Sequence, residues 1–224
     1  MKLSKGVIAG TLVMLVAACG GNTPSSSNST TSGSTPNSAD APTAPASRAA
    51  TTTPPNLTAE LLAAHDLPLG WSAVGNSDAG EPQCLDNVRS HLNATGKAEA
   101  TFVGGSSGVP TLEESLFYVP GQAHSAVPLV SRILSGCGRI SLRTGGQTLI
   151  GTVGSMPFPA VADESSAYQM NLSATVSGQS VTFVIDVVVF RKADTVAMIL
   201  YADLGTPDTH AVQPLIQDAA AKLS

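Results

Sequence analysis

Charged and aromatic side chains are scarce in this sequence: 12% of its residues are charged and 4% are aromatic. The 11 basic side chains are outnumbered by 16 acidic ones, which gives a formal net charge of −5. Nucleic-acid-binding proteins draw much of their affinity from clustered lysine and arginine, so this composition argues against nucleic acid as a partner. Hydrophobic residues, at 42%, are frequent enough to build a buried core.

Motifs of catalysis and metal binding are missing as well. No S-x-x-K or H-E-x-x-H pattern occurs, and no G-x-S-x-G elbow joins a predicted strand to a helix. The glycine-rich segment 104–108 lacks the lysine of a phosphate-binding loop, and it is expected to join two strands in a hairpin. The pair His65-Asp66 falls where a helix should end, and the helix dipole alone explains a histidine there. We therefore expect no catalytic residue, metal site or cofactor, although a hydrolase site assembled from distant residues is an alternative.

The apolar run over 7–18 is too short to span a bilayer, which takes about 20 residues. Lys2 and Lys5 precede the run and small residues lead from it into Cys19, a layout typical of a secretory signal. The stretch 16–20 resembles a bacterial lipobox. The resemblance implies that residues 1–18 are removed and that Cys19 is lipidated, so that acyl chains anchor the protein to the outer side of the cell membrane. An ordinary secretory signal is the alternative.

Residues 19–55 consist almost wholly of Ser, Thr, Pro, Ala, Asn and Gly. Such a segment cannot bury enough apolar area to offset its chain entropy, so we expect a disordered linker. It serves either as a plain spacer or as an acceptor of O-linked glycans. Residues 56–224 are then a single folded domain.

Lipidation of Cys19 would leave Cys84 and Cys137 as an even pair in an oxidising compartment. A disulfide between them is the expected arrangement. Two buried free thiols are the alternative.

Hydrophobic periodicity predicts helices and strands in an order without repeated strand–helix–strand units, so we expect an α+β fold. Its sheet should be mainly antiparallel, with helices packed on one face. The expected helices cover 58–65, 82–92, 123–134 and about 208–223. The expected strands cover 71–74, 97–103, 113–119, 148–153, 166–176, 180–191 and 195–201.

The strand predicted over 180–191 is apolar on both faces, except that Asp186 interrupts the second face. A sheet that is apolar on both faces must be covered on both sides or present an apolar surface to a partner. Trp71, the segment 155–161 and the first helix provide the cover in one interpretation. In the other, the second face binds a lipid, a cell-wall precursor or a peptide. The candidate ligand-binding residues are Val184, Asp186, Val188, Phe190, Ile199, Tyr201 and Trp71.

Several elements in order resemble the PknH-like extracellular domain family of sensor-type domains. They are 61–62 with 67–68, Cys84 before a short helix, 98–102, 116–118 leading into a helix that ends at Cys137, and 185–191. The resemblance implies a sheet flanked by helices, a ligand-binding cleft and intramolecular disulfides. LpqN-type lipoproteins with a Mog1/PsbP-like fold are the second resemblance.

Both resemblances imply a binding lipoprotein of an actinobacterial envelope. We expect a non-enzymatic, sensor-like domain for an apolar envelope ligand or a partner protein. An accessory subunit of an envelope complex, without a small-molecule pocket, is the alternative.

Overall fold

The computed structural model describes residues 54–75, 82–106, 108–144, 147–176, 178–205 and 209–224. The predicted signal peptide, Cys19 and nearly all of the predicted linker lie outside the described residues.

Eight strands and four helices form within these residues. The strands are β1 (Trp71–Val74), β2 (Gly96–Gly104), β3 (Thr111–Tyr118), β4 (Arg139–Thr144), β5 (Gln147–Ser155), β6 (Glu164–Val176), β7 (Gln179–Lys192) and β8 (Thr195–Leu204). The helices are α1 (Leu57–Glu60), α2 (Gln83–His91), α3 (Ala123–Ser135) and α4 (Thr209–Lys222), and a 3₁₀ turn covers Ala64–Asp66.

All eight strands join one antiparallel sheet in the order β1-β2-β3-β8-β7-β6-β5-β4. Strands β1 to β3 form one meander, and strands β4 to β8 form another. Helix α3 links the two meanders, and the last strand of the second, β8, pairs with β3 at the centre. This confirms the expected antiparallel sheet of an α+β fold, with more of the domain in strands than in helices.

The two faces of the sheet carry separate apolar cores. On one face, alternate residues of β7 such as Val187 and Val189 pack with α2 and α3. On the other, which we call the α4 face, Val188 and Phe190 pack with α4 and with leucines 57, 61, 62 and 67 of the N-terminal segment. The expectation that helices cover only one face is therefore wrong. The reason is physical: the central strands are apolar on both sides, and each side needs its own cover.

The cover of the α4 face is incomplete. Helix α4 and the N-terminal segment lie over the apolar side chains of β2, β3, β7 and β8. On β4, β5 and β6, most side chains of this face are polar and exposed, including Ser141, Thr152 and Asn171. These three strands therefore present an open polar part of the α4 face.

Candidate functional site

Strand pairing brings a row of polar side chains together on the α4 face. Asn171 lies opposite Thr152, and Gln169 lies opposite both Gly154 and Asp186. Residues two apart on a strand share a face, so Gln169 and Asn171 stand side by side on β6. The residues between them, such as Met170, point into the opposite core.

A cleft of about 460 Å³ lies above this row. Its floor comes from β5 and β6, and its wall comes from the segment that follows β5. The lining residues are Thr152, Val153, Gly154, Ser155, Met156, Pro157, Gln169 and Asn171. Met156 also packs against the α4-face core, which ties the wall to the rest of the domain.

Asp186 lies beside the polar row, opposite Gln169 on β7, with 1% of its surface exposed. Its Oδ1 accepts a hydrogen bond from Gln169 Nε2 at 3.0 Å, and Asn171 Nδ2 donates to Gln169 Oε1 at 3.3 Å. An ionised carboxylate can only accept, so Asp186 fixes which end of the Gln169 amide faces it. Among the described residues, Asp186 Oδ2 has no partner. Burial raises the pKa of Asp186, and the hydrogen bond from Gln169 opposes that shift.

Most of the predicted ligand-binding residues are buried. Val184, Val188, Phe190, Ile199 and Tyr201 are each at most 5% exposed. Trp71 is half-buried, with its ring 6.3 Å from that of Tyr201. Trp71, Met156, Phe158 and the N-terminal leucines all pack on this face, as does α4. Within the predicted set, Asp186 accepts a hydrogen bond from Gln169, which lines the cleft. A ligand role for the set as a whole stays a prediction.

Gln169, Asn171 and the exposed side chains of β4 are candidate residues that the sequence reasoning missed. The sequence does carry a signal for them, because Gln169, Asn171 and Ser173 alternate with Met170, Leu172 and Ala174. That alternation indicates a strand with one buried and one exposed face. It does not reveal which strand lies beside it.

A second buried carboxylate lies on the α4 face, away from the cleft. Glu114 is 0% exposed, and the Leu62 backbone N–H donates to its Oε2 at 2.6 Å. Burial raises the pKa of Glu114 to about 7, against the opposing effects of the Leu62 hydrogen bond and of Lys222. Lys222 itself contacts Asp66 at 2.5 Å. These contacts fasten the N-terminal segment to β3 and to the end of α4.

Cys84 and Cys137 are free thiols in the structure, and they lie near each other. Burial, together with the neighbouring Cys137 thiol, raises the pKa of Cys84 to about 12. Cys137 Sγ also donates to the Ile133 carbonyl at 3.2 Å. The structure therefore brings the predicted pair into contact without joining it, and the disulfide stays a prediction.

The residues considered for catalysis do not converge. His65 lies in the exposed 3₁₀ turn, and its neighbour Asp66 is held by the Ala63 N–H and by Lys222. The segment 104–108 matches the letters G-x-S-x-G, yet it connects β2 to β3 rather than a strand to a helix. Within the described ranges, no three His, Cys, Asp or Glu side chains are placed to hold a metal ion. None of the helices in those ranges is long and apolar enough to cross a membrane.

Comparison with known proteins finds a structure of similar fold, but no match at the level of sequence. No protein-family model matches the chain, and no curated protein matches it. The crystal structure of the extracellular domain of PknH from Mycobacterium tuberculosis is similar, with a TM-score of 0.54 and 10% sequence identity. The likeness covers 73% of this chain and 93% of that domain. It supports a fold like that of the PknH extracellular domain.

Proposed function

We propose that this chain is a non-enzymatic binding domain that is held outside the cytoplasm by lipidated Cys19 and binds its ligand in the cleft between β5 and β6. The observation that carries the proposal is an open polar cleft whose floor is fixed by a buried carboxylate. Gln169 and Asn171 are exposed to a ligand, while Asp186 holds the Gln169 amide in one orientation. Polar groups that are fixed before binding lose little conformational freedom when a ligand arrives.

The fold likeness supports the proposed location and the absence of catalysis. The similar PknH structure is described as an extracellular domain. A sensor-like domain of this fold requires a binding surface, and the cleft provides one.

The structure favours polar contacts over the apolar groove expected from the sequence. Val188, Phe190 and Ile199 lie beneath α4 and the N-terminal segment, so a ligand could reach them only by displacing this cover. Gln169, Asn171 and Thr152 are accessible without any such movement. We therefore assign ligand contact to the polar row and a positioning role to Asp186.

Native mass spectrometry of the full-length protein tests this proposal. The protein is incubated with a bacterial envelope extract and washed, together with two variants, Gln169→Leu and Gln179→Leu. Each variant loses one amide, but Gln179 lies at the exposed start of β7 outside the cleft. We expect a discrete added mass on wild type and on Gln179→Leu, and its loss from Gln169→Leu. Equal retention of that mass by a folded Gln169→Leu protein would refute the cleft as the site.

A further inference from the structure

The arginines of β4 stand out among the cations of this acidic protein. Arg89 and Lys97 contact glutamates, Arg191 contacts Asp163 and Glu164, and Lys222 contacts Asp66. Lys192 donates to the Leu223 carbonyl. Within the described residues, the basic side chains without any such contact are Arg132, Arg139 and Arg143. Two of these three are on one short strand.

Both arginines of β4 point to the same face as the cleft. Ile140 and Leu142 pack into the opposite core, so the alternate residues Arg139, Ser141 and Arg143 lie on the α4 face. All three are exposed.

The strand register places Arg139 beside the cleft. Arg139 lies opposite Thr152 on β5, and Thr152 lies opposite Asn171 on β6, so the three form one row across the sheet. With strands about 4.8 Å apart, the Arg139 and Asn171 backbones are separated by about 10 Å. An extended arginine side chain covers most of that distance, so the guanidinium of Arg139 can reach a molecule bound over Thr152 and Asn171.

The open polar part of the α4 face carries no acidic residue to neutralise these arginines. On β5 and β6 its side chains are hydroxyl, amide and aliphatic groups, among them Thr148, Ile150 and Ser173. On the adjoining strand β7, the carboxylate of Asp186 is buried and hydrogen-bonded to Gln169. The open polar part of the α4 face therefore combines two unpaired guanidinium groups with neutral hydrogen-bonding side chains.

We infer that the ligand of the cleft is an anionic saccharide. Guanidinium groups bind carboxylate, sulfate or phosphate oxygens with two parallel hydrogen bonds. Hydroxyl and amide side chains such as Thr152, Asn171 and Gln169 exchange hydrogen bonds with sugar hydroxyls. Met156 and Pro157 in the wall offer apolar surface to the C–H faces of a sugar ring. This inference rests on the proposed function, because it names the ligand class of the same cleft.

Arginines on an edge strand also discourage pairing with other chains. That role demands charge but no ligand, so a binding measurement separates it from the inferred one.

The experiment compares two probes of equal length, a galacturonic acid oligosaccharide and an uncharged galactose oligosaccharide, by isothermal titration calorimetry on the full-length protein. We expect the acidic probe to bind at least about tenfold more tightly, and added salt to remove the difference. Arg139→Gln should weaken binding of the acidic probe about tenfold and leave the neutral probe unaffected. Arg143→Gln should act in the same direction.

Arg132→Gln is the matched control, since it removes an equal charge from an exposed position on α3. Its affinity for the acidic probe should stay at the wild-type value. If Arg132→Gln and Arg139→Gln weaken binding of the acidic probe equally, the overall charge of the protein explains the effect and the inference is overturned. All three arginines are exposed, so their replacement removes no buried side chain, and thermal unfolding curves check that each variant folds.

The remaining outcomes separate the inference from the proposed function. Equal binding of both probes, abolished by Gln169→Leu, keeps the cleft as the site but overturns the anionic class. A second outcome is that neither probe binds, while Gln169→Leu still loses the added mass from the envelope extract. This outcome overturns the inference of a saccharide ligand but keeps the cleft as the binding site. If neither oligosaccharide binds but vesicles of anionic phospholipid do, the arginines face a membrane and the inference fails.

Discussion

Glu114 and Asp186 are both buried on the α4 face, but their oxygens have different partners. Glu114 accepts the backbone N–H of Leu62, and Asp186 accepts the side-chain amide of Gln169. Each has a second oxygen without a partner among the described residues. Removing a carboxylate from water disfavours its charged form, which is why the pKa of each group is raised. Glu114 therefore reports on the attachment of the N-terminal segment, and Asp186 on the cleft.

The raised pKa of Glu114 predicts that the domain loses stability between acidic and neutral pH. The folded-state pKa of about 7 lies above the ordinary glutamate pKa of 4.5. The folded protein then holds a proton that the unfolded chain releases, so the stabilisation is complete below the unfolded value and is lost as pH rises through the folded value. The loss is roughly 3 kcal/mol at most.

Urea unfolding at about pH 5 and about pH 8 measures this loss directly. Glu114→Gln, which keeps an acceptor for the Leu62 N–H, should abolish most of the difference between the two pH values. Glu113→Gln is the control, because Glu113 is half-buried and pairs with Arg89 on the other face. An undiminished pH difference in Glu114→Gln would show that another group is responsible.

At the scale of elements, the sequence pattern was sufficient for all strands except β4. The long strands β6, β7 and β8 alternate or stay apolar over many residues, and α3 carries a continuous apolar stripe, so their signals are strong. The six residues of β4 also alternate, with Ile140 and Leu142 between polar neighbours. Two apolar positions after Gly136 and Gly138 are a weak signal, and they do not separate a strand from a loop.

The cleft could not be predicted from the sequence for a related reason. Gln169 and Asn171 were readable as exposed positions on a strand. Their approach to Thr152 and Asp186 depends on the pairing of β5, β6 and β7, which the residues of one strand do not determine. Asp186 could be identified as a candidate from the sequence because it interrupts an apolar strand. Glu114 lies between the polar residues Glu113 and Ser115, so the sequence does not distinguish it as a buried carboxylate.

Gly151 allows the backbones of β5 and β6 to approach closely where the two strands form the cleft floor. A Cβ atom at this position would lie 1.9 Å from the Asn171 carbonyl oxygen. Alanine would therefore push the two strands apart, and we expect Gly151→Ala to lower the free energy of unfolding by about 1–3 kcal/mol or more. Gly154→Ala on the same strand is the control, since nothing lies within 4 Å of its added Cβ. Thermal unfolding compares the two, and equal melting temperatures would contradict the close approach.

At the scale of the whole molecule, the sheet carries a separate cover on each of its two faces. Helices α2 and α3 precede the second meander and pack on one face, and the N-terminal segment joins α4 on the other. The apolar character of β7 and β8 on both sides predicted that each face is either covered or offered as an apolar surface to a partner. It could not predict that α4 provides a cover, because the direction of the chain after β8 is not encoded in the strands themselves.

The contact between Cys84 and Cys137 provides a test of how the two halves are connected. Cys84 lies in the first turn of α2, and Cys137 lies between α3 and β4, so a disulfide would join the two meanders across a long loop. Chain entropy gives such a bond a stabilisation of about 4 kcal/mol. We expect the protein purified under oxidising conditions to lack the mass of two hydrogens and to regain it with reductant. Cys137→Ser should show no such mass change and should unfold at the same urea concentration with or without reductant. Wild-type protein in which Cys84 and Cys137 both react as thiols after oxidation and denaturation would exclude the bond, and the pair would then act only in the packing between α2 and the start of β4.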